Sequence, residues 1–368
     1  MKILVLTSRY TASRDIIGED FGRQTRLFEA LKRLNHDINF FCADYIKFER
    51  KNTRLHGINV FIEPFSFFNF VSFLKRLNDL LKSKKYDLLV ATSDPLWGII
   101  GNIFAKKFKI RFVYDLHDNY ETYAAYKMPF LGYFDRRAIK NADIITTVSF
   151  ALRDKISKIR RKNIFVVQNG VNLRLFKPLD KFSSRQKLKL PLNAKIIAYT
   201  GSLQKSLGVD ILINVFERLK NEIPNAKLLL VGRLAADKND VPDIKRENII
   251  SFDALKQRDV VFAINAADVV AIPSPSNEFT KYCFPYKCVE YMACNTPIVA
   301  TSLSDVRLML KDYKDSLCKP DNEQELYVKI KNQLNKGKIN YRRKLQDYSW
   351  DKIALKLHKI ITGKIKND

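Results

Sequence analysis

Short runs of consecutive apolar residues recur along the chain, each followed by a polar or glycine-bearing turn and then by an amphipathic stretch. Ile3-Leu4-Val5-Leu6 is the first such run, and one this short and continuous reads as a strand covered on both faces. Gly18 and Gly22 follow, and in residues 24–34 Leu27, Leu31 and Leu34 fall on one helical side. Strand, glycine loop and helix open a doubly wound α/β domain. Residues 38–42, 88–91, 111–116, 144–148 and 164–167 repeat the strand pattern, with helical segments between most of them. After a polar connector over 178–193 a second series begins. Ile196-Ile197-Ala198-Tyr199 leads into Thr200-Gly201-Ser202, and Leu228-Leu229-Leu230-Val231 leads into Gly232. Residues 249–252, 269–272 and 298–300 continue it. The pattern therefore predicts two Rossmann-like, doubly wound α/β domains facing each other across a cleft. Ligands in such sheets collect at the carboxyl ends of the strands.

Composition narrows the class. At 368 residues the chain is long for one core and comfortable for two. With 46% hydrophobic and 28% charged residues it reads as globular rather than disordered. The five cysteines show no CxxC spacing, which fits free thiols in a reducing compartment better than a zinc cluster. The one extreme number is the net charge of +26, compatible with nucleic acid, an anionic membrane surface or a lysine-rich proteome. No nucleic-acid-binding signature accompanies it, so a membrane surface is favoured and no nucleic-acid partner is expected. Met1-Lys2 leads straight into the first strand without a signal peptide. The longest apolar stretch, 58–74, is interrupted by Glu63, Pro64 and Asn69. The expected location is cytoplasmic, or peripheral on the inner face of a membrane.

The most informative stretch is 283–301, CFPYKCVEYMACNTPIVAT. Pro285 suits a first helical turn, Val289, Met292 and Ala293 fall on one face, and Asn295 suits a left-handed helix end before the strand at 298–300. A helix start near Phe284 offers unpaired backbone N–H groups and partial positive charge, an anion site. Glu290, further along, is placed to accept hydrogen bonds from hydroxyls of a sugar attached to that anion. Taken alone, the segment reads equally well as an ordinary amphipathic helix with one Lys287–Glu290 surface ion pair.

This stretch resembles the nucleotide-sugar signature of glycosyltransferase family 4, retaining enzymes of the GT-B fold. The likeness is carried by Pro285-x-Lys287-x-x-Glu290-Tyr291-Met292-Ala293 and the turn into Pro297-Ile298-Val299. Many members have two glutamates seven residues apart; Glu290 matches the second, and Tyr282 stands where the first would be. Glu278, a few residues upstream, is a candidate substitute carboxylate. Asn169-Gly170-Val171-Asn172, with Phe176 and Pro178, is similar to the family's N-G-V-D-x-x-x-F-x-P. Physically, Asn-Gly suggests a tight turn with positive φ. The resemblance implies an acceptor domain over 1–177, a nucleotide-sugar domain over 194–347 and a closing segment over 348–368 whose helix packs on the first domain, with 178–193 as hinge.

Further site residues follow from the same likeness. In Asp115-Leu116-His117-Asp118, at a strand end, it implies that His117 holds a donor-sugar hydroxyl and that Asp118 positions the ring or the acceptor. Gly18 aligns with a glycine approaching the donor phosphate or the acceptor. Glu19, where a second glycine is common, stands with Asn169 on the acceptor side. In Thr200-Gly201-Ser202-Leu203-Gln204-Lys205-Ser206-Leu207-Gly208, the usual diphosphate-binding arginine and lysine are replaced by Ser202 and Leu207. Lys205 and Lys287 are the candidate replacements beside Gly201, because charge grows on the leaving diphosphate. The implied activity is hexosyl transfer from a nucleoside-diphosphate sugar to an acceptor hydroxyl with retained configuration. Leaving-group oxygens assist deprotonation, without metal or other cofactor, so the sugar nucleotide is a substrate. Aromatic and basic residues over 64–85 and 120–137 point to a glycan or lipid-linked acceptor near an anionic membrane. A sugar-nucleotide-binding protein without transfer, or a nucleotide-sugar epimerase, are the rival readings.

Overall fold

The computed structural model describes residues 1–11, 14–253, 255–341 and 345–365. The chain divides into two compact units, Met1–Gly170 with Trp350–Asp368, and Val171–Ser349.

Unit 1 holds strands β1 (Lys2–Ser8), β2 (Tyr10–Thr11), β3 (Arg14–Asp15), β4 (Asp37–Asp44), β5 (Lys51–Leu55), β6 (Ile58–Pro64), β7 (Leu88–Thr92), β8 (Arg111–Leu116), β9 (Ile144–Thr147) and β10 (Ile164–Val166). Its helices are α1 (Gly22–Lys32), α2 (Phe70–Ser83), α3 (Pro95–Phe108), α4 (Leu131–Asn141) and α5 (Phe150–Ser157). β2 and β3 form a small separate ribbon. The other eight strands make one sheet in the order β10-β9-β8-β7-β1-β4-β6-β5, parallel except for β5. Strand order reverses at β1, which pairs with both β4 and β7. A crevice outside the carboxyl ends of β1 and β7 follows from that reversal.

Unit 2 holds α6 (Lys181–Lys187), β11 (Lys195–Thr200), α7 (Val209–Glu222), β12 (Ala226–Val231), β13 (Ile249–Phe252), α8 (Gln257–Ala266), β14 (Val269–Ile272), α9 (Tyr286–Ala293), β15 (Ile298–Thr301), α10 (Ser304–Leu310), β16 (Leu317–Cys318) and α11 (Glu323–Gln333). Its six strands are parallel in the order β13-β12-β11-β14-β15-β16. Here the reversal falls between β11 and β14. The strands expected from apolar runs all occur, extended by one or two residues at some ends and one residue shorter at the ends of β9 and β10. β6 escaped the pattern because Glu63 and Pro64 interrupt it; Glu63 is buried between Arg50 and Arg76, at 2.8 and 3.0 Å.

The last helix, α12 (Trp350–Ile361), belongs to unit 1. Its Ile353, Leu357 and Ile360 join Leu27 and Leu31 of α1 in one buried cluster. Residues 178–193, expected as a hinge, are instead folded into unit 2. Asp180 caps α6, and Arg185 is buried against Asp268 at 2.8 Å. The chain passes between units at 170/171 and 349/350. Asn169-Gly170 is not the expected turn, since Gly170 is not among the positive-φ glycines. A Cβ on Gly170 would lie 2.7 Å from the indole of Trp350, so close approach is what requires a glycine there.

Candidate functional site

In unit 2 the loops at the reversal point are locked backbone to backbone. Gly201, directly after β11, has φ +129 and donates its N–H to the Val231 carbonyl at 2.9 Å. A Cβ on Gly232 would collide with the Gly201 carbonyl oxygen. Leu203 donates to the Arg233 carbonyl at 2.8 Å. On the other side, a Cβ on Gly208 would meet the carbonyl of Pro273, and the Asn277 side chain donates to the Ser206 carbonyl at 2.9 Å. The loops after β11 and β14 thus frame the crevice that the strand order predicts.

α9 starts beside this crevice. Its N-cap is Pro285, one position earlier in the helix frame than expected, with no side-chain cap. The Cys288 N–H bonds to the Pro285 carbonyl at 3.1 Å, so Tyr286 and Lys287 supply the first amides of the helix end. Phe284 is buried to 4% exposure and packs on Tyr348 with ring centres 5.9 Å apart. Its ring is therefore a core contact.

Lys287 projects from the first turn to Tyr199, donating to the hydroxyl at 2.7 Å and lying 4.0 Å from the ring centre. Tyr199 in turn donates to the Ser202 carbonyl at 2.9 Å. A Cβ on Gly201 would stand 3.0 Å from the Lys287 ammonium. Burial lowers the Lys287 pKa to about 8, against the opposing influence of Cys283 and Glu290. Glu290 is half-buried one turn along. Tyr291 beside it is fully buried and receives the Thr200 N–H at 2.8 Å, tying α9 to the end of β11. Of the other expected donor residues, Lys205 is exposed and reaches the Asn239 carbonyl at 3.1 Å, and Ser202 is exposed. Glu278 is exposed with Lys281 at 3.4 Å. Lys287 is thus the cation held against Gly201, while Lys205 is turned toward the 238–240 turn.

In unit 1 the expected residues gather around the ends of β7 and β8, with Thr146 of β9 and Arg23 of α1. Asp115 is buried and bound by Arg23 through two contacts, 3.0 and 2.8 Å, and by the hydroxyls of Thr92 and Thr146 at 2.9 and 2.6 Å. Burial opposes its charge, but Arg23 and Thr146 prevail and hold its pKa below the usual value. Arg23 also donates to the Asn169 side chain at 3.1 Å, which occupies that expected acceptor residue. The His117 Nδ1 is 3.2 Å from the Thr92 hydroxyl, 3.3 Å from the Tyr120 hydroxyl and 3.5 Å from the Gln24 amide nitrogen, so three polar side chains fix this edge of the ring. Burial lowers the His117 pKa to about 4, so the ring is neutral near pH 7. Burial has the opposite consequence for the adjacent Asp118 carboxyl, pushing it up to about 7 despite bonds from the Asn119 N–H and the Tyr123 hydroxyl.

Gly18 and Glu19 are exposed in the turn before α1. Asp15 takes the Gly18 N–H at 2.9 Å, and Arg14 holds Glu19 at 2.8 Å. The glycine at the helix start is Gly22, with φ +95. Arg23, Thr92 and Tyr199, which hold the expected residues in place, were not singled out from the sequence, and Tyr291 was noted only as part of the family-like run. Arg23 had a signal: it stands one turn before Leu27, a charge in line with an apolar stripe. Among the described residues no cluster of three potential metal ligands occurs.

Two sequence-family models match the chain in succession. Glycosyltransferase Family 4 matches residues 25–175, and Glycosyl transferases group 1 matches residues 180–351. A D-inositol 3-phosphate glycosyltransferase of Mycobacteroides abscessus is 26% identical over 206 residues, 53% of this chain and 44% of its own. One from Segniliparus rotundus is 28% identical over 159 residues, 41% of this chain and 34% of its own. The matched part therefore spans less than half the length of these relatives. Among solved structures, sucrose-phosphate synthase of Thermosynechococcus elongatus shares the fold with a TM-score of 0.79 at 18% identity, covering 99% of this chain and 98% of its own. HepE of Anabaena in complex with UDP gives 0.78 at 18%, covering 99% and 100%.

Proposed function

This chain belongs to the family 4, group 1 glycosyltransferases of the GT-B fold, and we propose that it moves a sugar from a nucleoside-diphosphate sugar to an acceptor hydroxyl with retained configuration. The observation that carries the reading is Lys287, held at the start of α9 against a glycine that leaves room for it, with Glu290 one turn further. The diphosphate lies against the amides of Tyr286 and Lys287 and the Lys287 ammonium, which steady the charge that grows as it leaves. Glu290 takes hydroxyls of the ribose, and Lys205 adds a weaker, solvent-screened charge. Anabaena HepE has been captured with UDP-glucose, which supports a UDP-hexose as the first donor to try.

His117 and Asp118 act on the sugar side. A neutral imidazole hydrogen-bonds a sugar hydroxyl without adding positive charge, and a carboxyl whose pKa burial raises to about 7 suits hydroxyl groups better than a phosphate. Oxygens of the departing diphosphate assist removal of the acceptor proton, so no dedicated protein base is assigned. The acceptor is a glycan or lipid-linked hydroxyl on the cytoplasmic side of a membrane. Tyr282, in place of the first glutamate, and Ser202, in place of the arginine, favour a second reading in which the nucleotide sugar binds without turnover.

The test is to incubate the protein with UDP-, GDP- and ADP-hexoses, with and without glycolipid acceptors, and follow nucleoside diphosphate release and the anomeric signal of the product. Acceptor-dependent release with retained configuration is expected. Binding without release on any acceptor leaves the second reading, and a rearranged free sugar nucleotide identifies an epimerase.

A further inference from the structure

The crossovers β6-α2-β7, β7-α3-β8 and β8-α4-β9 all run the same way across the sheet of unit 1. With right-handed connections their helices lie on one face; α2 and α3 begin within six residues of the ends of β6 and β7, and α4, reached through residues 117–130, runs back toward the start of β9 and so also begins on the carboxyl side. α3 lies between the other two, with its Trp97 against Phe73 of α2 at 5.6 Å.

On this rim hydrophobic side chains stand in solvent. Phe67 and Phe68, just before α2, are 91% and 92% exposed and pair edge to face at 5.7 Å, with Val71 77% exposed in the next turn. Phe130, at the start of α4, is 77% exposed, and Tyr133 and Phe134 follow as a second exposed pair at 5.4 Å. Lys75 stands beside the first cluster; Lys127, Arg136 and Arg137 flank the second, all exposed. Of the nearby acids, Glu121 is engaged by Arg136 and Lys155, and Asp79 lies a turn beyond Lys75. The whole chain carries +26.

Paired phenyl rings in water have no use for an isolated domain. Aromatic side chains ringed by lysine and arginine match the headgroup layer of an anionic bilayer, rings at the acyl boundary and cations on lipid phosphates. Among the described residues no helix is long and apolar enough to cross a membrane. We propose that the carboxyl rim of unit 1 docks on an anionic lipid bilayer through two aromatic wedges, Phe67-Phe68 and Phe130 with Tyr133 and Phe134. The surface belongs to unit 1 and the expected donor residues to unit 2, and the inference stands whether or not sugar is transferred.

Vesicle sedimentation of the full chain tests it, comparing pure phosphatidylcholine with mixtures containing phosphatidylglycerol. Wild type is expected to sediment with the anionic vesicles, less at high salt, and not with the neutral ones. Phe67→Ser with Phe68→Ser lowers the partition coefficient ~tenfold or more, because two buried rings are lost. Lys127→Gln, Arg136→Gln and Arg137→Gln together abolish the preference for anionic lipid. Phe182→Ser, at an exposed phenylalanine of unit 2, changes nothing, and unchanged melting temperatures show that the variants are folded. Wild type that ignores anionic vesicles, or a double serine variant that binds like wild type, overturns the proposal. So does a dimer that the double variant dissolves without any vesicle binding, since that assigns the rim to a second copy of the chain.

Discussion

The Lys287 ammonium donates to the Tyr199 hydroxyl at 2.7 Å while lying 4.0 Å from the centre of the same ring. One aromatic residue at the end of β11 thus orients the cation at the start of α9 through both its hydroxyl and its π face. Burial holds the Lys287 pKa at about 8. A bound diphosphate stabilises the charged form, so binding takes up a proton wherever the free lysine has lost one. Donor affinity is therefore expected to be flat below pH 8 and to fall above it, toward tenfold per pH unit. Titration calorimetry at several pH values in buffers of different ionisation heat checks both the slope and the proton uptake. Lys287→Ala should remove the slope and weaken binding roughly 10- to 100-fold, as loss of a charge-assisted contact does.

Gly201→Ala separates crowding from charge. The residue has φ +129, and its new Cβ would stand 3.0 Å from the Lys287 ammonium. Backbone strain of this kind costs about 1–3 kcal/mol, read as a lower midpoint in urea. Donor affinity is expected to fall as well, because the lysine is displaced.

The Arg23–Asp115 pair is a buried ion pair of unit 1 with 3% and 5% side-chain exposure. Arg23→Met leaves a buried carboxylate without its counter-charge, and a loss of about 3–5 kcal/mol is expected in urea unfolding. Adding Asp115→Leu should recover part of it, because the two changes remove one shared interaction. Equal and additive losses would show that the pair is not coupled.

Several of these relationships cannot be read from a linear chain. Apolar runs announce strands buried on both faces, so β1, β7, β11 and β14 were legible, and with them the doubly wound α/β class; the strand order and its switch points came only from the fold. β6 was not, because Glu63 and Pro64 break its run, and only the fold shows that Arg50 and Arg76 neutralise that glutamate. Lys287 and Glu290 were legible through helical spacing and family likeness. Tyr199 was not, because nothing local distinguishes it from other strand residues, and Tyr291, though part of the family-like run, gave no hint that its hydroxyl ties α9 to β11. Gly170 was misread as a turn for the same reason: the Trp350 ring that requires it comes from the far end of the chain.

Asp118 gives a prediction with the opposite sign to an ordinary surface acid. Burial raises its folded pKa to about 7, so its protonated form favours the folded state. That contribution is fully present below the unfolded value near 4 and is lost as pH rises through 7. Asp118→Asn is therefore expected to gain stability relative to wild type at pH 8.5 compared with pH 5, while losing transfer activity. Melting curves at the two pH values decide it, and an identical difference at both shows that Asp118 does not titrate in this window.

A nucleoside diphosphate is expected at the start of α9 in unit 2, with Glu290 on its ribose. Calorimetric titration of UDP-, GDP- and ADP-hexoses into wild type, Glu290→Ala and Glu278→Gln measures it directly. One nucleotide class is expected to bind wild type and Glu278→Gln alike and to lose tenfold or more in Glu290→Ala, with an unchanged melting temperature for the free protein. Equal affinity of every nucleotide for wild type and Glu290→Ala would contradict it.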